Sequence, residues 1–522
     1  MPKVRQPQRL ETMALKKSSE WLCLTGERMI PLVTKASKVD NKVAVEQLQV
    51  VIEIAHGLFE RYVPFYLYKP LADEMMKGIS RLIDKCKEAI EFKANMAKFL
   101  AQVNVALSLS QALISVKLRI IDFDELPKMI RTTFYSRLEQ MTGLEWLSLG
   151  SVSGGWKTLD MEHLVIDGIK NLTHLQHLCL NYDCTDNILR TLVKTCPQLM
   201  SLDITNSKNI NNASMEILVD LKNLRSVQLY RSSVGMEGYI NMLLHLPELR
   251  DIGRYDELGR CFEFIDDYYP TYKNFALESF VSIQATTKQI QILCEKCPQL
   301  KSISLFHNIL LLDLMAVIGL NQLTKLKLLS CDFFADQVRD VLEVKGCNLT
   351  TLCLEHVDEI DMNALVYISE FCPDLKTLVL CNCNLIQSTS VRRFKIPPFM
   401  SLENLTLIGE CTIKHLEFIL CNAHRLKFAH FGTQIITTDE LFETVFLRNE
   451  LSLLEELRIL HSDFLTIKTA YALVNNCVNL QKLFEIESWI GVFPLQFEEL
   501  KRYVKEKNFE VDLTSYRKFV TG

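Results

Sequence analysis

Short stretches in which apolar and polar residues alternate recur along most of this chain, each entered through a leucine three residues earlier. The pattern Leu-x-x-Leu-x-Leu stands clearly at Leu144/Leu147/Leu149, Leu175/Leu178/Leu180, Leu199/Leu202/Ile204 and Leu224/Val227/Leu229. It returns at Leu300/Ile303/Leu305, Leu323/Leu326/Leu328, Leu349/Leu352/Leu354, Leu375/Leu378/Leu380 and Leu402/Leu405/Leu407. Weaker copies begin at Leu113, Leu249, Leu277, Leu426, Leu454 and Leu480. From Leu175 onward the copies lie 23 to 28 residues apart. Alternation over five residues predicts a short strand with its leucines on one side. Helical patterns such as residues 186–194, 212–221 and 364–371 fill the intervals. One strand–helix unit cannot bury its apolar side alone, so neighbours must stack into a parallel sheet with helices outside. Each crossover is expected to be right-handed.

Three copies are preceded by a punctuating tetrapeptide: Cys196-Pro-Gln-Leu199, Cys297-Pro-Gln-Leu300 and Cys372-Pro-Asp-Leu375, with Cys477-Val-Asn-Leu480 as a looser version. Proline cannot continue a helix, so it stops each helix just before the next strand. The cysteine fills a small apolar space beside it. With these residues the chain resembles the leucine-rich-repeat family over roughly residues 113–490, and within it the cysteine-containing, long-repeat subclass. The fold expected is an α/β right-handed leucine-rich-repeat solenoid, with a parallel concave sheet, helices on the convex side and an α-helical N-terminal region. The resemblance also implies a function, because this subclass is typical of F-box receptor subunits of ubiquitin ligases.

The ends of the array read differently. Residues 41–110 lack the repeat and show helical faces: Val45, Leu48, Val51, Ile52 and Ala55, then Met75, Ile79, Leu82 and Ile83. Pro64 and Pro70 are expected to break the region between them. It serves either as a cap on the first repeat or as an adaptor-binding module. In the second case Met75, Met76, Ile79 and Leu82 are the candidate docking residues. The stretch from Pro70 to Leu82 is similar to the start of an F-box, but its Pro-to-Glu spacing is long and no Trp-containing second half follows. Ser18-Ser-Glu-Trp-Leu-Cys-Leu24 is similar to an elongin-binding box, with Ser19 where that box has its leucine. At the other end, residues 494–508 are predicted as a capping helix with Phe497, Leu500 and Val504 inward, and residues 509–513 as a last strand. The domains expected are therefore 1–110, 111–490 and 491–522. Two interruptions stand out. Between Leu249 and Leu277 the helical pattern fades into Tyr- and Asp-rich sequence, expected to be an irregular convex segment or a partner-binding loop. Residues 387–401, carrying Arg392, Arg393 and Lys395, are expected to be a solvated loop.

Composition narrows the function. The chain has 522 residues with 48% hydrophobic, ample for a large core. A formal net charge of −5, with no basic stripe, argues against a nucleic-acid partner. No apolar run reaches membrane-spanning length; the longest, residues 309–320, is interrupted by Asp313. The polar, basic start, Met1 to Arg9, is followed by no signal-peptide core, although Met13 offers an alternative start. Seventeen scattered cysteines fit reduced thiols in a cytoplasmic or nuclear protein. No phosphate loop, nucleophile elbow or zinc-protease helix occurs, so neither enzyme activity nor a cofactor is expected. Cys294-Glu-Lys-Cys297 and Cys381-Asn-Cys383 lack the second ligand pair that a structural zinc needs.

What remains is a surface. Residues between the motif leucines point to the concave side. The candidate partner-binding residues there are His177, Asp203, Gln228, Lys325, Lys327, Phe428, His430 and Arg458. The function expected is protein binding. In the sharper form the chain is the substrate receptor of a cullin-type ubiquitin ligase, with a Skp-type or elongin adaptor on residues 14–85 and a protein substrate on the concave face. The alternative is a non-ligase scaffold.

Overall fold

Apolar positions three and four residues apart make the N-terminal region helical. In the computed structural model its helices are α1 (Leu10–Val39), α2 (Val43–Tyr62), α3 (Phe65–Glu91) and α4 (Met96–Ser110). The structure describes residues 9–39, 43–91, 96–122, 128–148, 162–182, 184–308, 310–388 and 391–513. Leu149, Ile309 and the side chain of Val45 lie outside the described residues.

Helix was expected only from residue 41, yet α1 starts at Leu10. Its buried stripe of Ser19, Leu22, Met29, Ile30 and Val33 carries the same helical period as the later helices. Pro64 separates α2 from α3 as expected, but Pro70 lies inside α3 and does not break it. A proline there removes one ladder hydrogen bond. Full burial of Tyr68, Leu71 and Ala72 around it holds the helix instead.

The repeats form two parallel sheets. The first runs in chain order through β1 (Ile120–Asp122), β2 (Trp146–Ser148), β3 (His177–Cys179), β4 (Ser201–Asp203) and β5 (Ser226–Gln228). Ile121, Leu147, Leu178, Leu202 and Val227 stand side by side across it, all buried. This register corrects the copy expected to begin at Leu113. Leu118 and Ile121 hold the motif positions, and Leu113 closes a 3-10 turn.

The second sheet has nine strands: β6 (Ser279–Ser282), β7 (Ser302–Phe306), β8 (Lys325–Asp332), β9 (Thr351–Asp358), β10 (Thr377–Cys381), β11 (Asn404–Ile408), β12 (Phe428–Phe431), β13 (Glu456–Ile459) and β15 (Lys482–Phe484). Between the last two, β14 (Ser462–Thr466) pairs separately with β16 (Trp489–Gly491). Here Phe280, Ile303, Leu326, Leu352, Leu378, Leu405, Ala429, Leu457 and Leu483 make the buried row. This is leucine-rich-repeat architecture.

The chain divides into two compact units between Gly253 and Arg254, one holding the N-terminal helices and the five-stranded sheet, the other the nine-stranded sheet. Position 110/111 is where α4 ends and a 3-10 turn begins, whereas 490/491 falls inside a strand, Trp489–Gly491.

Helices follow most strands. In the first unit they are α5 (Lys128–Tyr135), α6 (Glu162–Ile169), α7 (Asp186–Thr195), α8 (Asn212–Leu218) and α9 (Met236–His245). In the second they are α10 (Leu258–Tyr268), α11 (Thr287–Lys296), α12 (Val338–Lys345), α13 (Met362–Phe371), α14 (Ile413–Asn422), α15 (Asp439–Arg448), α16 (Ile467–Asn476) and the closing α17 (Pro494–Glu506). The segment expected to be irregular between Leu249 and Leu277 therefore contains a regular helix, α10. Leu258, Phe262 and Ile265 are its buried face at helical spacing, and of the exposed tyrosines Tyr268 ends the helix while Tyr269 and Tyr272 follow it. Residues 391–401 carry no helix, as expected for that interruption. In α17, Phe497, Leu500 and Val504 point inward, and Phe509, Val511 and Leu513 are buried beyond it. Cys196, Cys297, Cys372 and Cys477 are all buried at helix ends.

A feature without a sequence signal recurs where strands turn outward. Two residues beyond the last motif leucine, Tyr182, Asn206, Arg231, Ser330, His356, Asn382 and Gly409 all take positive φ, from +51° to +109°. Only the last is glycine.

Candidate functional site

The open face of each sheet carries the side chains that alternate with the buried row. On the five-stranded sheet, Trp146 and His177 occupy adjacent strands, and their rings stack with centroids 4.2 Å apart. Burial holds the imidazole below its ordinary pKa, so the ring is neutral in this stack. Asp203 accepts from the Thr205 hydroxyl at 2.6 Å and from the Thr205 amide at 3.0 Å. Gln228 donates to Asp251 at 2.8 Å. A Cβ on Gly253, whose φ is +67°, would fall 1.9 Å from Gln228 Oε1, so glycine there lets the Gln228 side chain lie against the turn. Asp203 is thus held within its own repeat and Gln228 by the next one.

The face of the nine-stranded sheet is longer and more varied. One row runs Ser302, Lys325, Thr351, Thr377, Asn404, Phe428, Glu456 and Lys482. The next runs Ser304, Lys327, Cys353, Val379, Thr406, His430, Arg458 and Phe484. Charge gathers toward the ends. Lys327 pairs with Glu355 at 2.7 Å, and that hydrogen bond holds its ammonium above the usual value. At the far end Lys482 pairs with Glu456 at 3.0 Å and Arg458 with Glu485 at 3.3 Å. Lys325 is exposed and meets no carboxylate among the described residues. Burial, then the neighbouring Arg458 charge, keeps His430 below its ordinary pKa. Its Nε2 is buried without a hydrogen-bond partner among the described residues. The middle is neutral and small, and beside it Ile408 and Phe428 are exposed on adjacent strands.

Met75, Met76, Ile79 and Leu82 are in a different situation. All four are buried on α3, which packs against α1 and α4. The contact is close: Ser19 Oγ donates to the Glu74 carbonyl at 2.8 Å, and a Cβ on Gly78 would meet Cys23 Sγ at 2.6 Å. The reading of these four as a docking face is corrected, because their apolar side chains build the interior of the helical region. The box-like stretch near Ser19 uses its Ser19 and Leu22 for the same interior. The helix surface left open is another one, missed from the sequence: Val50, Ile54, Leu58 and Tyr62 form an exposed row on α2. Their spacing of four residues was visible, but it shared the helix with an equally apolar buried stripe, and a pattern alone does not say which stripe faces inward.

The buried thiols of the repeats are poor nucleophiles. Burial pushes Cys353 up to about 11 and Cys372, Cys383 and Cys477 up to about 12, and it raises Cys297 as well. Cys294 and Cys297 come from one helix end, and among the described residues no group of three or more His, Cys, Asp or Glu is placed to hold a metal ion. Among the same residues no helix is long and apolar enough to cross a membrane.

No family model matches the chain, and no curated protein matches it. Among solved structures, an internalin of Listeria monocytogenes is 13% identical over 67% of this chain and 82% of its own, with a TM-score of 0.31. A leucine-rich-repeat protein of Leptospira interrogans is 14% identical over 78% of this chain and 91% of its own, with a TM-score of 0.29. A chain in the complex of Rad7 and Elc1 in yeast is 14% identical over 69% of this chain and 88% of its own, with a TM-score of 0.33. Likenesses this distant carry no argument about what this chain binds.

Proposed function

We propose that the chain acts by binding a protein, and that the open face of the nine-stranded sheet is its contact surface. The observation that carries this is the register. Side chains from successive strands stand in rows about 4.8 Å apart, with paired and unpaired charges toward the ends and exposed Ile408 and Phe428 beside a neutral middle. A broad face with a neutral middle, two exposed apolar side chains beside it and charged ends suits a protein better than a small molecule, which needs a concave pocket. A photo-crosslinking amino acid at Phe428 or at Lys325 should capture the same protein, and one at the exposed Leu447 on α15 should not. Capture that is equal at all three positions defeats the assignment.

The finer reading is a substrate receptor of a cullin-type ubiquitin ligase, acting in the cytoplasm or nucleus. The Cys-Pro repeat endings support it, as does the open apolar row on α2, which replaces Met75, Met76, Ile79 and Leu82 as the adaptor-docking surface. The described cysteines are free thiols, in keeping with a reducing compartment. Wild-type chain should retain a Skp-type or elongin adaptor from cell extract, and Ile54→Asp with Leu58→Asp should abolish this while circular dichroism is unchanged. A wild-type chain that retains neither adaptor leaves the scaffold reading.

A further inference from the structure

We propose that residues 391–397 form a second docking surface, shaped for an extended protein segment in which acidic and apolar side chains alternate. The segment lies between β10 and β11 and carries no helix. It is tied down through its backbone. Asn363 Oδ1 accepts from the Arg392 amide and Glu370 Oε1 from the Lys395 amide, each at 2.7 Å. The Arg392 guanidinium lies 4.9 Å from the centre of the Tyr367 ring and 3.9 Å from the Glu370 carboxylate. A strap held at Arg392 and Lys395 loses little freedom when a partner arrives.

All seven of its residues are exposed, including Val391, Phe394 and Ile396. Apolar side chains grouped this closely on a surface mark an interaction site. Three of the seven residues are cations and none is an acid. Glu370 offsets Arg392, while the charged side-chain groups of Arg393 and Lys395 pair with no carboxylate among the described residues. The strap is thus locally positive on a chain whose net charge is −5. An extended partner presents its side chains with a period of two. Acids on it reach Arg393 and Lys395, while the alternate side chains settle on Phe394 and Ile396. An anionic membrane would draw on about four to eight basic residues. Two unmatched cations favour the peptide.

The test uses the full chain and fluorescence anisotropy. One panel of short labelled peptides alternates Asp or Glu with Phe, Ile or Leu. A second panel replaces the acids with Asn and Gln, and phosphatidylserine-rich vesicles form the third arm. Acidic peptides should bind about tenfold more tightly than their amides, and the preference should shrink as salt rises. Arg393→Glu with Lys395→Glu should remove the preference, and Phe394→Ser should weaken all binding. Lys325→Glu with Phe428→Ser, on the sheet face, should leave it unchanged, which separates this surface from the one proposed above. Equal binding of the two panels overturns the proposal. So does an unaltered preference in the double charge reversal, or retention by vesicles with no peptide binding.

Discussion

Leu352 and Leu378 sit side by side on β9 and β10, neither exposed to solvent, while Lys325 projects from the other face of the same sheet. Truncating either leucine to alanine leaves a cavity that neighbouring repeats cannot fill, at a cost of about 2–5 kcal/mol. Lys325→Ala removes no packing and should stay within about 0.5 kcal/mol. Urea unfolding of the three variants tests the inside–outside assignment, and equal losses refute it. The positive φ positions make a second prediction at this scale. His356 is exposed at φ +51°, a conformation that costs an L-residue about 1–2 kcal/mol. Glycine relieves that strain and gives part of the gain back through the unfolded chain's freedom. His356→Gly should therefore raise stability by about 0.5–1 kcal/mol, and a loss on the same measurement would show that the side chain contributes more than the strain costs.

Among the elements, the start of α15 shows how one repeat is fastened to the next. Thr438 caps the helix by accepting from the Leu441 amide, and Asp439 takes hydrogen bonds from the Thr466 hydroxyl and the Thr469 hydroxyl at 2.6 Å each. Burial works against the Asp439 charge, but the bonds from Thr466 and Thr469 outweigh it and leave the carboxyl below its ordinary value. A depressed folded-state pKa contributes stability above the unfolded value, about 3.9, and loses it as the pH falls through the folded one. Wild type should accordingly lose more of its Tm on acidification below about pH 4 than Asp439→Asn does. Parallel losses in the two proteins would assign the acid sensitivity to other carboxylates.

For the molecule as a whole, stacking creates an end that must be covered. In the first unit β1 pairs, among the described residues, with β2 alone, and Ala112, Leu113 and Ile114 just ahead of it in the chain are buried. Lys117 donates to the carbonyl oxygens of Glu60 and Val63, and Ser115 to the Glu60 carboxylate, tying α2 to the first repeat. Deleting residues 1–110 uncovers those side chains and a strand edge with unpaired backbone groups, so light scattering should report aggregation. A soluble monomer with its repeat structure intact would contradict the capping role.

Strand positions, the parallel order and the inward face of nearly every repeat were legible along the chain, because a period of two with leucine at fixed offsets admits one buried side per strand. The sequence also marked Cys196, Cys297 and Cys372 as helix ends, since each is followed by a proline and, two residues further on, by the leucine that enters the next strand. The tertiary structure decided matters that depend on competition between equivalent local choices. Two apolar stripes on α2 are alike in period, and only packing against the other helices buries Leu48, Ile52 and Ala55 and leaves Val50, Ile54 and Leu58 in solvent. The helix at Leu258–Tyr268 formed despite weak local propensity because Phe262 and Ile265 had a core to enter. Tyrosine, arginine, serine and histidine take positive φ for a related reason: the backbone bends at that position in these repeats, and summed burial over many strands outweighs the local cost.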